Sequence, residues 1–277
     1  MSTNEIDVNA VNQRTLLEGV PKPLVFIDTE ATGVDEEDRV VQVAYKFQGK
    51  EAFPAHQYFK APLPVKLVAM SVNNITNEML EDKPAFIGSD YETRLRSLSQ
   101  SHIFVAHNAI YDLEMLKKEG ISFESSICTL KVAFYLDADG SMEKHNLSYL
   151  RYFLKTEVDA IPHDAVGDII ILEAVFWKLF EKIKEKHFGP VSHTPDVVEE
   201  VIRMMVDISS KPTLFRRFNF GKYNGELVVD VAQGGSDGKG RSWMKWLLGE
   251  KINDPVKEAD WIYTLDYYLN AYTPASR

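Results

Sequence analysis

The stretch Leu24-Val25-Phe26-Ile27-Asp28-Thr29-Glu30-Ala31-Thr32-Gly33 decides how the chain is read. Its four leading apolar residues form a run that is short and unbroken, which predicts a central strand covered on both faces. Side chains two apart on a strand share a face, so Asp28 and Glu30 project together from the strand end. Two carboxylates placed that way repel each other unless a cation sits between them. A plain turn also favours Asp and Thr, so this stretch alone leaves both readings open.

Upstream, residues 1–22 are polar and lead through Pro21-Lys22-Pro23 into the strand, which reads as an N-terminal tail. Downstream, Val40 to Phe47 is β-branched and aromatic, Gln48-Gly49-Lys50 supplies a turn, and a third extended stretch lies around His56 to Phe59. Three strands with short links predict an antiparallel meander. The pattern then turns helical. Ser89-Asp90-Tyr91-Glu92 fits a capping box opening a helix to about Ser99. Ile103 to Ala106 reads as another buried strand, and Asn108 as the cap of a helix that stops at Gly120. Further helices are expected over Thr129 to Leu136 and from about Asn146. The longest runs from near Asp164 to Lys186, where Ala165, Ile169, Leu172, Phe176, Leu179 and Ile183 form a core stripe. Strands first, then alternating helices and strands, define an α/β or α+β domain.

Two more groups carry chemistry. Asp112 lies in the first turn of the helix after Ile103–Ala106, where the helix dipole favours a carboxylate; Leu113 and Leu116 are expected to pack inward with Asp112 one step off that stripe. Asp168 flanks the buried face of the long helix with no Lys or Arg one turn away, and a buried charge needs a partner. His163 stands at that helix's start, where the dipole favours the neutral imidazole, a form able to act as a base. Oxygen-only ligands of this kind suit Mg²⁺ or Mn²⁺ rather than zinc. Four acids can hold two such ions about 3.5–4 Å apart, as in-line attack on a phosphodiester requires.

The 277 residues carry a net charge of −10, with 45% hydrophobic and 26% charged residues. These values suit a globular chain and exclude disordered, collagen-like and coiled-coil classes. No apolar run reaches the ~20 residues of a membrane span, no signal-like apolar segment opens the chain, and Cys128 is the single cysteine. A soluble cytoplasmic protein is therefore expected. The acidic total argues mildly against a non-specific nucleic-acid coat. The run Asp35-Glu36-Glu37-Asp38 reads as a solvated loop, and Cys128 as a small packed apolar residue.

Taken in order, Asp28-Thr29-Glu30-Ala31-Thr32-Gly33, then Ala106-His107-Asn108 through Asp112, then His163-Asp164-Ala165-Val166-Gly167-Asp168 resemble the three motifs of the DEDD exonuclease superfamily, in its histidine form. The resemblance covers about Leu24 to Lys186. It implies a ribonuclease H-like mixed sheet, an antiparallel meander followed by parallel strands, flanked by helices. It further implies 3′→5′ exonuclease activity with two Mg²⁺ ions, for which Mn²⁺ substitutes. Asp28, Glu30, Asp112 and Asp168 become the metal ligands and His163 the general base. Thr29, Thr32, Gly33, His107, Asn108 and Asn73 become candidates for substrate contact. Ala31 stands where many members have Thr, and Asn73 stands where the family's H-x-I-T stretch has His.

Residues 211–251 differ in composition, being net basic with interleaved aromatics. Phe218-Asn219-Phe220-Gly221-Lys222-Tyr223-Asn224-Gly225 and Trp243-Met244-Lys245-Trp246-Leu247 resemble the tail of the superfamily's exonuclease X branch. Cations for the backbone and aromatics for bases suit single-strand binding, although a 65-residue module also needs aromatics as core. Arg216, Arg217 and Lys222 are the candidates for phosphate contact. The expected organisation is a tail (1–22), an exonuclease domain (23–188), a linker with one helix (189–212) and a C-terminal module (213–277). The expected substrate is single-stranded DNA or a DNA 3′ end, with no membrane partner. RNA trimming and non-catalytic nucleic-acid binding remain alternatives, because the core motifs do not distinguish sugars.

Overall fold

Strand β1 runs over Leu24–Ala31, well past its apolar run, so Asp28, Thr29 and Glu30 lie within the strand rather than in a turn after it. The computed structural model describes residues 22–49, 54–158 and 165–272. Strands β2 (Val40–Phe47) and β3 (Ala55–Tyr58) complete an antiparallel meander with β1. Helices α1 (Leu67–Asn73) and α2 (Asn77–Leu80) follow, too short for apolar periodicity to signal them. In α3 (Asp90–Ser101) the Ser89 hydroxyl accepts from Glu92 N, but the Glu92 carboxylate accepts from Gly88 N, so the reciprocal bond of the capping box falls one residue early.

Strand β4 (Ile103–Ala106) lies parallel to β1, helix α4 (Ala109–Lys118) follows it, and the three-residue β5 (Ser126–Cys128) lies parallel to β4. Helices α5 (Thr129–Leu136), α6 (Leu147–Phe153), α7 (Ala165–Phe188) and α8 (Pro195–Ser210) come next. The strand order β3-β2-β1-β4-β5, antiparallel on one side of β1 and parallel on the other, is the mixed sheet expected of a ribonuclease H-like fold.

The two faces of β1 build two different surroundings. Val25, Ile27 and Ala31 pack with Val40, Val43 and Tyr45 against Ala109, Met115 and Leu116 of α4. On the opposite face Phe26 meets Phe176 of α7 edge-on, with ring centroids 5.4 Å apart. The α7 stripe of Ala165, Ile169, Leu172, Phe176, Leu179 and Ile183 is buried throughout, each large member contributing about 1.5–3 kcal/mol. The β1–β2 register shifts between Glu30 and Ala31, where Val41 is the extra residue. This bulge lets Val40 and Val43 join the same core although they are an odd number of residues apart.

The chain divides into two compact units, residues up to Leu130 with Asn146–Ser209, and Lys131–His145 with Ser210 onward. This differs from the organisation expected above. In place of a linker, α8 buries Val198, Val201, Ile202 and Met205, and Ser209 Oγ accepts a 2.8 Å hydrogen bond from Cys128 N. The amphipathic face of α8 belongs to the first unit's core rather than to a spacer.

The second unit adds α9 (Val228–Ala232), α10 (Gly240–Lys251) and α11 (Ala259–Ala271). Its core gathers Phe218, Tyr223, Val228, Met244, Leu247, Trp261 and Leu265. Phe218 and Trp261 stack at 5.2 Å, so most of the tail's aromatics are core, while Trp246 is exposed. Among the described residues, no helix is long and apolar enough to cross a membrane.

Candidate active site

The β1–β4 pairing covers only Leu24–Phe26, so the far half of β1 has no strand beside it on that edge. The Thr29 N–H, lacking a ladder partner there, donates instead to Asp112 Oδ1 at 2.8 Å, and the Thr29 hydroxyl donates to the same oxygen at 2.8 Å. Asp112 is buried on the same helical stripe as Met115 and Leu116, which corrects its expected place one step off that stripe. A carboxylate can occupy the stripe because Thr29 supplies two donors to it. Burial still pushes the Asp112 carboxyl up from its ordinary range, the Thr29 bonds pull it down, and the neighbouring Glu30 charge adds to the rise.

Asp28 and Glu30 share the other face of β1, the one that meets α7. Burial raises the Glu30 carboxyl to about 7; a hydrogen bond from Asn73 works against the rise, and the charge of Asp168 adds to it. The structure thus brings Asp28, Glu30, Asp112 and Asp168 together around the half of β1 beyond its β4 pairing. Asp112 comes from the α4 side and Asp168 from the first turn of α7. Asp28 Oδ2 is itself a buried carboxylate oxygen. Acids gathered in this way, Asp112 buried and the other three half-buried, are unfavourable to ionise together, and a hard divalent cation with oxygen ligands relieves them, so the donor set fits such a cation.

His163 and Asp164 lie outside the described residues. His107 Nδ1 is 2.9 Å from Thr129 Oγ1. Asn108 occupies the N-cap position of α4 but in the left-handed region, with φ 63°, and its side chain makes no cap hydrogen bond, contrary to the expected capping. Asn73 is buried: its Nδ2 donates to Ala31 O at 3.3 Å, its Oδ1 accepts from Ile75 N at 3.0 Å, and it also bonds Glu30. Thr32 is fully buried, its hydroxyl donating to Asp38 Oδ1 and accepting from Arg39 N. A Cβ on Gly33 would lie 2.4 Å from Asp38 Oδ2, so Gly33 is required for packing.

The acidic run is not wholly a solvated loop. Asp38 is fully buried and receives Thr32, the Asp35 N–H and the Lys66 ammonium, the last at 2.7 Å. Burial works to raise its carboxyl, but Lys66, Thr32 and Asp35 outweigh that and hold it below the usual range. Lys66 also reaches Asp35 and Glu37, so this acidic cluster carries its own cation. Sequence reasoning missed Lys66 because it stands 28 residues from Asp38 on an unsignalled helix start. It missed Tyr111 as well, whose phenol is pushed well above its ordinary range by burial and by the charges of Glu30, Asp112 and Asp28. The adjacency of Tyr111 to Asp112 is the signal that marks it.

In the second unit, Arg217 donates to the carbonyls of Gly140 and Gly225, and Lys222 pairs with Asp237. Arg216 donates through Nη1 to the Tyr268 hydroxyl at 2.9 Å.

A mixed sheet whose first strand carries an acid pair, joined by helix-borne acids on either side, is the arrangement of a nuclease. The chain belongs to the ribonuclease T-type exonuclease family, whose model matches residues 25–176, and its class of activity is that of a 3′→5′ exonuclease. It is 28% identical over 252 residues to exodeoxyribonuclease 10 of Escherichia coli K12, covering 89% of this chain and 98% of that one. It is 25% identical over 197 residues to a DNA polymerase III subunit epsilon-like protein of Rhodobacter capsulatus, covering 67% of this chain and 28% of that one. A solved structure of exonuclease X with 5′ overhanging duplex DNA aligns with TM-score 0.48 and 25% identity, covering 67% of this chain and 99% of that one.

Proposed function

We propose that the protein is a metal-dependent 3′→5′ exodeoxyribonuclease that releases nucleoside 5′-monophosphates from single strands or DNA 3′ ends, in DNA repair or end processing. The observation that carries this reading is the convergence of Asp28, Glu30, Asp112 and Asp168 around the half of β1 beyond its β4 pairing. The likeness to exodeoxyribonuclease 10 over nearly the whole chain supports DNA as the substrate. The lone, buried Cys128 suits a reducing compartment, and we place the enzyme in the cytoplasm.

Asp28, Glu30 and Asp168 would hold one divalent ion, with Asp28 shared by a second that Asp112 supports. When bound, Mg²⁺ or Mn²⁺ supplies a more acidic attacking water and neutralises charge on the phosphate. The chain's own residues set the stage. Thr29 fixes the Asp112 carboxylate through two donors, and Asn73 holds Glu30. Asn73 spends its amide on Ala31, Ile75 and Glu30, which makes it a support of the ligand set more than a contact for the terminal nucleotide. His163 is the base that accepts the proton from the attacking water.

The test uses 5′-labelled single-stranded DNA and matching RNA with Mg²⁺, with EDTA, and with Asp28→Ala and His163→Ala. A ladder shortening from the 3′ end on DNA, absent in EDTA and in Asp28→Ala and weakened in His163→Ala, supports the reading. Preference for RNA would replace the substrate, and cleavage persisting in EDTA would overturn the metal mechanism.

A further inference from the structure

The second unit holds a pocket of about 220 Å³ that none of the catalytic residues line. Its walls include Arg216, Leu227, Tyr267, Tyr268, Tyr272 and Asp139. We propose that this pocket takes one unstacked nucleobase of a single-stranded DNA, giving the second unit its own hold on the strand. The inference rests on the nucleic-acid reading above.

Three features select a base over other occupants. First, size: a cavity of ~150 Å³ already accepts a benzene ring, so the pocket has room for a heteroaromatic ring. Second, three wall residues are aromatic, and two of them, Tyr267 and Tyr272, are exposed. Tyr268 and Tyr272 are nearly parallel, 18° apart at 6.0 Å, and Tyr267 stands edge-on to Tyr268 at 5.2 Å. An exposed tyrosine row continues outward along α11 from Tyr267 to Tyr263. The buried stripe of α11 is Trp261, Thr264, Leu265, Tyr268 and Leu269, so Tyr263 and Tyr267 are not spent on the core. A strand emerging from the pocket would find a second stacking surface there.

Third, the polar groups are of both kinds. Arg216 brings donors, while Asp139 brings an acceptor whose Oδ1 is fixed by the Ser141 N–H at 3.2 Å. The carboxylate disfavours a phosphate or any other anion. A base edge, which carries donors and acceptors side by side, satisfies both. The Arg216 side chain is held in place, with Nη1 on the Tyr268 hydroxyl and its stem so close to Gly140 that a Cβ there would lie 2.9 Å from Arg216 Cβ. The donor is therefore presented in a fixed position.

The experiment uses the full chain in EDTA, which separates binding from cleavage. The probe is a 5′-fluorescein thymidine dodecamer for affinity, and the same oligonucleotide carrying one 2-aminopurine for stacking. Wild type is expected to quench 2-aminopurine on saturation. The double variant Tyr267→Ala, Tyr272→Ala is expected to restore that fluorescence and to weaken binding about fivefold or more, the loss of one stacked base. Tyr267→Phe, Tyr272→Phe is expected to keep both the quench and the affinity. No quench in wild type, or equal affinity of wild type and the alanine variant, overturns the pocket and leaves it to a protein side chain. Equal loss in the phenylalanine variant also overturns it, since stacking would not be the cause. A wild type that binds and quenches but gives no ladder in Mg²⁺ would keep the pocket and sink the exonuclease reading. One that cuts DNA without the tyrosine-dependent binding would do the reverse.

Discussion

Asp112 Oδ1 receives both the main-chain N–H and the hydroxyl of Thr29, each at 2.8 Å, so one threonine docks helix α4 onto the half of β1 that lies beyond its β4 pairing and orients the Asp112 carboxylate in the same act. Thr29→Val keeps the shape and the N–H but removes the hydroxyl donor. A hydrogen bond to a charged group contributes about 1.5–3 kcal/mol, so chemical denaturation should show a loss of that order. Titration calorimetry with Mn²⁺ should show weaker binding without loss of sites.

Glu30 is held at a cost in the absence of metal, as its raised carboxyl shows. Glu30→Gln should therefore raise the melting temperature of the EDTA-treated protein while abolishing cleavage. Each kcal/mol relieved corresponds to about 2–4 °C for a unit of this size. Added Mn²⁺ should stabilise wild type and leave the variant nearly unmoved, which differential scanning fluorimetry reads directly.

Asp38 makes the opposite pH argument. Its folded carboxyl lies below the ordinary value of 3.8, so its stabilisation is fully present above that value and is lost as pH falls through the depressed folded one. Wild type should lose stability on acidification below about pH 4. Asp38→Asn should be less stable at pH 7, and its stability should vary less between pH 5 and pH 2 in urea titrations.

Gly240 opens α10 with its Cα so near the preceding chain that a Cβ would meet Val231 O at 2.3 Å and Gly234 O at 2.8 Å. Both are main-chain atoms with no easy escape. Gly240→Ala should destabilise the second unit by about 1–3 kcal/mol, seen as a lowered unfolding transition, with the fluorescence of Trp243 and Trp261 reporting it.

Much of this was legible in the chain because the signals are local. Leu24–Ile27, Val40–Phe47 and the α7 stripe each carry their own periodicity, and the acids sit on them at readable spacings. What escaped depends on distant partners or on very short elements. Nothing near Asp112 shows that Thr29, 83 residues earlier, supplies its donors. Nothing near Asp38 shows that Lys66 will neutralise it, so a buried carboxylate reads as a loop acid. Strand β5 has three residues, too few for alternation, and its place is fixed only by pairing with β4. Helix α8 shows its apolar face in the sequence, but not which core that face joins.

The extra residue Val41 has a consequence for how this sheet tolerates change. β2 is written in two phases that meet at the bulge: Val40 before it, and Val43 and Tyr45 after it, reach one core, while Val41 joins Val65, Ile75 and Leu80 in another. Exchanging one apolar side chain for another of similar volume leaves both phases in place. Deleting or inserting a single residue between Val40 and Val43 would merge or split the phases and turn half the strand over, just opposite Glu30. The strand is thus permissive in composition and strict in length, and any single-residue gap that a functional variant carries should fall outside Val40–Val43.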